Sequence, residues 1–321
     1  MGYQPCVVLK NKFDVDSNVF NINDAIKNID QFRDTMFVLV KPGILNASMF
    51  ESLSRNNNKV VYLPADSSIQ DVVARANYAH ATIANSFEVK NILNEKNLHA
   101  RVIPHHFDIF LDKENFKKER SSNLRLYFGG CRDRSGIPTQ GDLGLDSNNC
   151  FRNINESFWV PLEKLNTIHE SSSKFDYVDK NYHQVKCDSI LQKINSSLNP
   201  ARFSLHYAVR TPLVGSYSNF WYTKSATKLV TAAGSGANIV TSNDPAVRVL
   251  IPKEYPYLLD TEEPNFLQDY QKKCNNMLLK VKETYRSKIW EEALEMMRDV
   301  KSKTNCETIC KMYIKLHDSM L

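Results

Sequence analysis

The sequence predicts an α/β protein made of two Rossmann-like, doubly wound domains facing each other across a cleft. Three observations carry this reading. Short apolar runs rich in β-branched residues alternate with helix-compatible segments over the first third of the chain. A second alternation restarts after a charged break, and 321 residues suffice for two domains of common size.

The runs CVVL (6–9), MFVLV (36–40), KVVYL (59–63), ATIAN (81–85) and ARVIP (100–104) are short and apolar, as buried parallel strands are. Between them NINDAIKNIDQF, LNASMFESLSRN, SIQDVVARANYA and SFEVKNILNEKN each suit one helix. This βαβα order implies a parallel sheet with helices on both faces. From Ile109 to Asn123, IFLDKENFKKERSSN is charged and loses apolar periodicity, as an interdomain linker does. The second alternation runs from LRLYFGG (124–130) through a polar loop over 133–156, FWVPLEKL, the segment 175–178, a helical QVKCDSILQKI and the strand FSLHYAV (203–209). A coil after Pro252 then leads to a long helical tract over 265–316. The expected division is 1–112, a linker over 113–123, 124–285, and C-terminal helices over 286–321 that return to the first domain.

The stretch from Thr223 to Asp244, TKSATKLVTAAGSGANIVTSND, is the most informative local sequence. SATKLVTAA suits a helix with Leu229, Ala232 and Ala233 on one face and Lys224, Thr227, Lys228 and Thr231 on the other. Gly234 and Gly236 are expected to stop it, and NIVTS (238–242) to follow as a buried strand. The N-terminal end of such a helix presents backbone N–H groups and a positive dipole end. Lysines there add full charge to a site disposed toward an anion such as a nucleotide diphosphate. The competing reading is an ordinary α/β connection with solvated lysines.

A 42% hydrophobic and 24% charged composition is ordinary for a globular protein, and the net charge of +5 favours an anionic ligand or membrane surface. No zinc finger, basic zipper or RNP-type motif appears, so nucleic acid is not expected as a partner. The N-terminus lacks the apolar core of a signal peptide, and no apolar run approaches membrane-spanning length. The seven dispersed cysteines read as reduced thiols of a cytoplasmic protein. Cys306 and Cys310 share a helix face, where packing is favoured over zinc for lack of a second ligand pair.

Four segments, in order, resemble the GT-B glycosyltransferases that use nucleotide-diphosphate sugars. ATIANSFEVKNILNEKNLHARVIPHHFD resembles the last strand–helix–strand of the family's N-terminal domain, and LRLYFGGCRDRSG its first C-terminal strand and glycine turn. TKLVTAAGSGANIVTSNDPAVRVLI resembles the donor-site helix and strand, and YRSKIWEEALEMMRDV the closing helix that crosses back to the first domain. One departure is clear. The family's two donor-site glutamates, eight positions apart, fall here on Thr223 and Thr231, so hydroxyls or nearby backbone must replace a carboxylate grip on the ribose. A set of bacterial and viral polysaccharide transferases is similar in carrying His-x-x-x-Arg and Lys-x-x-Thr-Lys-Leu, here His206–Arg210 and Lys224–Leu229.

The resemblance implies transfer of a sugar from a nucleotide-diphosphate donor, bound by the second domain, to a glycan or polysaccharide hydroxyl held by the first. No metal and no further cofactor is expected, so the leaving diphosphate must be met by side-chain cations and N–H groups. Arg210, Lys224 and Lys228 are the candidate cations and Thr227 a hydroxyl donor, with Thr231 and Gly236 completing the helix site. Gly129 and Gly130 permit close backbone approach to phosphate, with Arg132 or Arg134 adding charge. Candidate bases at strand ends of the first domain are Asp66 and the pair His105–His106 with Asp108. A retaining course needs no such base. His80 and His99 read as surface residues. Trp159, Tyr217, Phe220, Trp221 and Tyr222 read as core or loop anchors, with ring stacking on the substrate as the alternative. Two other functions stay open: a degenerate partner subunit that binds a nucleotide sugar or glycan, and a nucleotide-sugar epimerase. Peripheral membrane contact through basic segments such as FKKER also stays open, as does oligomeric state.

Overall fold

The computed structural model of the chain describes residues 3–40, 46–65, 67–112, 124, 126–127, 203–210, 222–263, 266 and 269–321. The first element is a helix, α1 (Tyr3–Phe13), where CVVL was expected to form a strand. A four-residue apolar run does not by itself distinguish a buried strand from one face of a helix. Tertiary contact decides it here: α1 lies along the last helix, α10 (Cys306–Asp318). The Cys310 thiol meets the Pro5 carbonyl at 3.6 Å, and Lys12 pairs with Glu307 at 2.7 Å.

The first sheet is β1 (Met36–Val40), β2 (Lys59–Leu63), β3 (Ala81–Ala84) and β4 (Ala100–Val102), parallel and in sequence order, as expected from those four runs. The helices α2 (Ile22–Lys27), α3 (Ala47–Leu53), α4 (Ile69–Ala76) and α5 (Phe87–Asn94) each begin at a capping side chain: Asn21, Asn46, Ser68 and Ser86 accept a backbone N–H two or three residues on. The period-2 alternation of a strand splits the sheet's core in two. Val60 and Tyr62 pack with the helical layer, including Phe50, Leu53, Val72 and Leu93. Val61 and Leu63 face the other way, with Ile83, Ile103 and, from α10, Ile309 and Leu316.

The second sheet is β5 (Leu126–Tyr127), β6 (Leu205–Ala208), β7 (Asn238–Ser242) and β8 (Leu258–Leu259), also parallel and in order. β8 lies in the segment expected to be coil; two residues are too short for a periodic signal, and pairing with β7 defines the strand. α6 (Thr227–Ser235) connects β6 to β7, and α7 (Pro245–Arg248) connects β7 to β8. The C-terminal tract is three helices, α8 (Tyr270–Thr284), α9 (Lys288–Thr304) and α10. Arg286, with φ of 62°, separates the first two, and Asn305 separates the last two by capping α10 through Thr308 N–H.

α9 buries Trp290, Ala293, Met297, Val300 and Thr304, a single stripe against α6 and β7. The segment YRSKIWEEALEMMRDV thus packs along the second sheet, and the helix it forms reaches the segment after β4 at its carboxyl end, where Thr304 O accepts the Phe107 N–H at 3.2 Å. The next helix, α10, packs on the first sheet. Cys306 and Cys310 do share a face of α10, both buried, and with Cys6 and Cys274 they are free thiols. Hydrogen bonding between the two raises the Cys306 thiol's pKa and lowers that of Cys310.

Candidate functional site

α6 begins two residues later than SATKLVTAA suggested and runs through Gly234. Gly236 ends it in the left-handed conformation, with φ of 65°. Gly236 N–H bonds Ala233 O and Ala237 N–H bonds Ala232 O, both at 2.9 Å, the paired closure glycine permits. Gly234 is not a helix stop. A Cβ there would lie 2.6 Å from Cγ and Cδ2 of Phe107, so the glycine lets the helix close onto the segment that follows β4. Gly236 sits at the carboxyl end of α6, about 13 Å along the helix from its start. The structure thus does not bring Gly236 together with Lys224, Thr227 and Lys228.

The amino end of α6 lies where β6 and β7 end. Arg210, two residues beyond β6, donates from its backbone N to Ser242 Oγ (3.0 Å), from NH1 to Asp244 Oδ2 (3.1 Å) and from NH2 to Ser225 O (2.9 Å). The guanidinium is therefore fixed beneath the turn that opens the helix. Asp244 is 1% exposed, so the ion pair is withdrawn from solvent on the carboxylate's side. Burial pushes the Asp244 carboxyl above its usual range, opposed by Arg210, by the Val247 N–H it caps and by Arg248. The sequence displayed Asp244 one residue before a proline, a capping signal; its service to Arg210 is visible only in space.

Among the described residues no side chain caps α6, whose N-cap is Ala226. Lys224 and Lys228 are half-buried at this end and Thr227 is exposed, its hydroxyl 2.7 Å from Ser225 Oγ. Thr231 donates to Thr227 O at 2.8 Å. Gly129, Gly130 and Arg132 lie outside the described residues, as do Arg134, Trp159, Tyr217, Phe220 and Trp221. Tyr222 is exposed beside Thr223.

The carboxyl ends of the first sheet meet this region directly. Thr223, fully buried, donates its hydroxyl to Ser67 O at 2.5 Å, and its carbonyl accepts from Asn85 Nδ2 at 2.5 Å. Ser67 follows β2 and Asn85 follows β3. Arg248 of α7 reaches Glu88 of α5 at 2.6 Å and Glu262 at 2.6 Å, a second bridge between the sheets. Thr223 is thus an interdomain contact, and its side chain does not stand in for a carboxylate turned toward a donor.

Asp66 lies outside the described residues. His105 and His106 follow β4, half-buried, in the segment that passes α6. His106 Nδ1 is 2.8 Å from Phe107 O, a carbonyl that can only accept, so Nδ1 carries a hydrogen. Asp108 accepts from Gln4 Nε2 at 2.9 Å and is tied to α1. Among the described residues no group of three or more His, Cys, Asp or Glu side chains is arranged to hold a metal ion, and no helix is long and apolar enough to cross a membrane.

No family model matches the sequence, and no curated protein shows significant similarity to it. Solved structures do resemble it over most of its length. The pneumococcal O-GlcNAc transferase GtfA in complex with UDP and GlcNAc is similar with a TM-score of 0.55 and 12% identity, over 93% of this chain and 59% of that one. Anabaena HepE in complex with UDP gives 0.53 and 12%, over 93% and 82%. Sucrose-phosphate synthase from Thermosynechococcus elongatus gives 0.54 and 10%, over 93% and 78%. The chain thus spans about three fifths of the GtfA chain's length. Two parallel α/β sheets with their carboxyl ends opposed, and a last helix that returns to the first sheet, complete the likeness: the chain has the GT-B fold, the one its four sequence segments resemble.

Proposed function

We propose that this protein is a glycosyltransferase that moves a sugar from a nucleotide-diphosphate donor to a hydroxyl of a glycan or polysaccharide, without a metal. The observation that carries the reading is Arg210, pinned by buried Asp244 and by Ser225 O under the amino end of α6, beside Lys224 and Lys228. In the reaction the acceptor oxygen bonds to the anomeric carbon while the bond from that carbon to the diphosphate oxygen breaks. Negative charge builds on the diphosphate. Fixed cations and helix N–H groups that need no reorganisation at that moment stabilise it most. Thr227 adds a hydroxyl donor, and Asp66, His105 or His106 takes the acceptor proton if the reaction inverts. Residues 1–112 would hold the acceptor and 124–285 the donor, in the cytoplasm or against the cytosolic face of a membrane.

A second reading has its own support. Thr223 is buried in an interdomain bridge and Thr231 bonds its own helix, so neither supplies the charge a ribose grip ordinarily uses. A partner subunit that binds a nucleotide sugar without turnover would tolerate this. A thermal-shift screen of UDP-, GDP-, CMP-, ADP- and dTDP-sugars, with product analysis and EDTA, separates the two. The UDP present in the HepE and GtfA structures puts uridine donors first. Turnover to free sugar or glycan, unaffected by EDTA, is expected; stabilisation without any turnover favours the subunit. Lys228→Ala should abolish donor stabilisation, and unchanged binding would defeat the site assignment.

A further inference from the structure

We propose that Asn85 and Thr223 form an interdomain clamp through which the first domain positions the anion-binding end of α6; this rests on the donor site argued above. The tripeptide Thr223–Ser225 is held from both sides. Asn85 Nδ2 grips the Thr223 carbonyl and Ser67 O receives the Thr223 hydroxyl, both from the first sheet. Two residues on, Arg210 NH2 grips the Ser225 carbonyl from the second. Lys224 lies between these anchors, and α6 starts two residues after the second.

Asn85 shows that the contact is more than filling. It is 6% exposed, and its Oδ1 is buried with no hydrogen-bond partner among the described residues. A buried amide oxygen left unpaired costs free energy that a small apolar residue in that place would avoid. The site tolerates this while using the other half of the amide on Thr223. The clamp closes only when the carboxyl ends of β2 and β3 stand against those of β6 and β7. Docking of the first domain thereby fixes where Lys224 and the Arg210 guanidinium present their charge. Asn85 and Thr223 are positioning residues: neither needs to touch the donor.

The test uses the full chain with Asn85→Asp, Thr223→Val and Thr223→Ser. Asn85→Asp preserves shape, but its carboxylate has no hydrogen to give the Thr223 carbonyl; Thr223→Val removes the hydroxyl, and Thr223→Ser restores it. Small-angle scattering reads compactness, and titration with UDP, GDP, ADP and dTDP reads the anion site. The first two variants are expected to enlarge the radius of gyration and weaken diphosphate binding about fivefold to tenfold, as loss of one buried hydrogen bond does. Thr223→Ser should behave as the unmodified chain. Unchanged compactness and affinity in both disruptive variants overturns the clamp. If no nucleotide binds the unmodified chain, the donor reading fails and scattering alone decides the clamp, with an unchanged radius overturning it. Should Thr223→Val fail to fold, Asn85→Asp carries both measurements.

Discussion

Gly234→Ala tests whether α6 is seated against Phe107 as described. Helix propensity alone favours alanine over glycine by about 1 kcal/mol in a helix interior. Against that, the new methyl would lie 2.6 Å from two ring carbons of Phe107 and 2.9 Å from its Cβ. Relief requires the ring or the helix to move by roughly 1 Å, the overpacking that costs about 1–3 kcal/mol. Phe107 has little freedom to yield: it is 2% exposed, and its N–H bonds Thr304 O at 3.2 Å. The upper part of that range applies, for a net loss of about 1–2 kcal/mol. In a Phe107→Ala background, itself destabilised by about 3–5 kcal/mol, only the approach to the Cβ of residue 107 remains. The same glycine substitution should then be neutral or stabilise by up to about 1 kcal/mol. Urea unfolding of the four proteins, with m-values compared, measures the coupling. Equal destabilisation in both backgrounds, within about 0.5 kcal/mol, would show that the ring is not what excludes a side chain at 234.

Two further predictions follow from charge. Arg210→Ala leaves the Asp244 carboxylate buried and unpaired, so it should destabilise the fold by about 3–5 kcal/mol near neutral pH, and Arg210→Ala with Asp244→Asn should recover much of it. Burial already raises the Asp244 pKa, and loss of Arg210 raises it further; stability in that variant is present at low pH and lost as pH rises through the folded pKa. Melting curves from pH 4 to 8 that run parallel to those of the unmodified chain would refute this. The second concerns His80, whose Nδ1 accepts the Val60 N–H at 3.0 Å and whose pKa is lowered, first by burial and then by Lys59. A depressed pKa gives stability that is present above the usual value of 6.5 and lost as pH falls through the folded pKa. His80→Asn keeps an acceptor and removes the titration, so it should flatten the acid limb of the melting profile; an unaltered limb would assign the loss elsewhere.

Much of the fold was legible because it is written in local patterns. Four of the five early strands follow from apolar runs, and α2 to α5 each start at an Asn or Ser whose side chain caps the helix. The helix α6 and the strand β7 after it were equally plain in TKLVTAAGSGANIVTS. CVVL misled because four apolar residues fit either a strand or one helix face, and only the presence of α10 some three hundred residues later selects the helix. β8 left no sign because two residues have no period.

The site divides along the same line. Sequence alone placed Arg210, Lys224 and Lys228 near one strand end and one helix start, since strand alternation and helix periodicity are local geometry. It assigned Gly234 and Gly236 together, although one admits a phenylalanine ring and the other caps a helix, because a missing Cβ looks the same whatever approaches it. The partnership of Arg210 with Asp244 joins residues 34 positions apart, and that of Asn85 with Thr223 joins residues 138 apart. Such pairs depend on how two sheets present their carboxyl ends to one another, which is a property of packing. The chain's residues therefore determined which charges and hydroxyls the protein has and on which element each sits; the tertiary structure decided which of them meet.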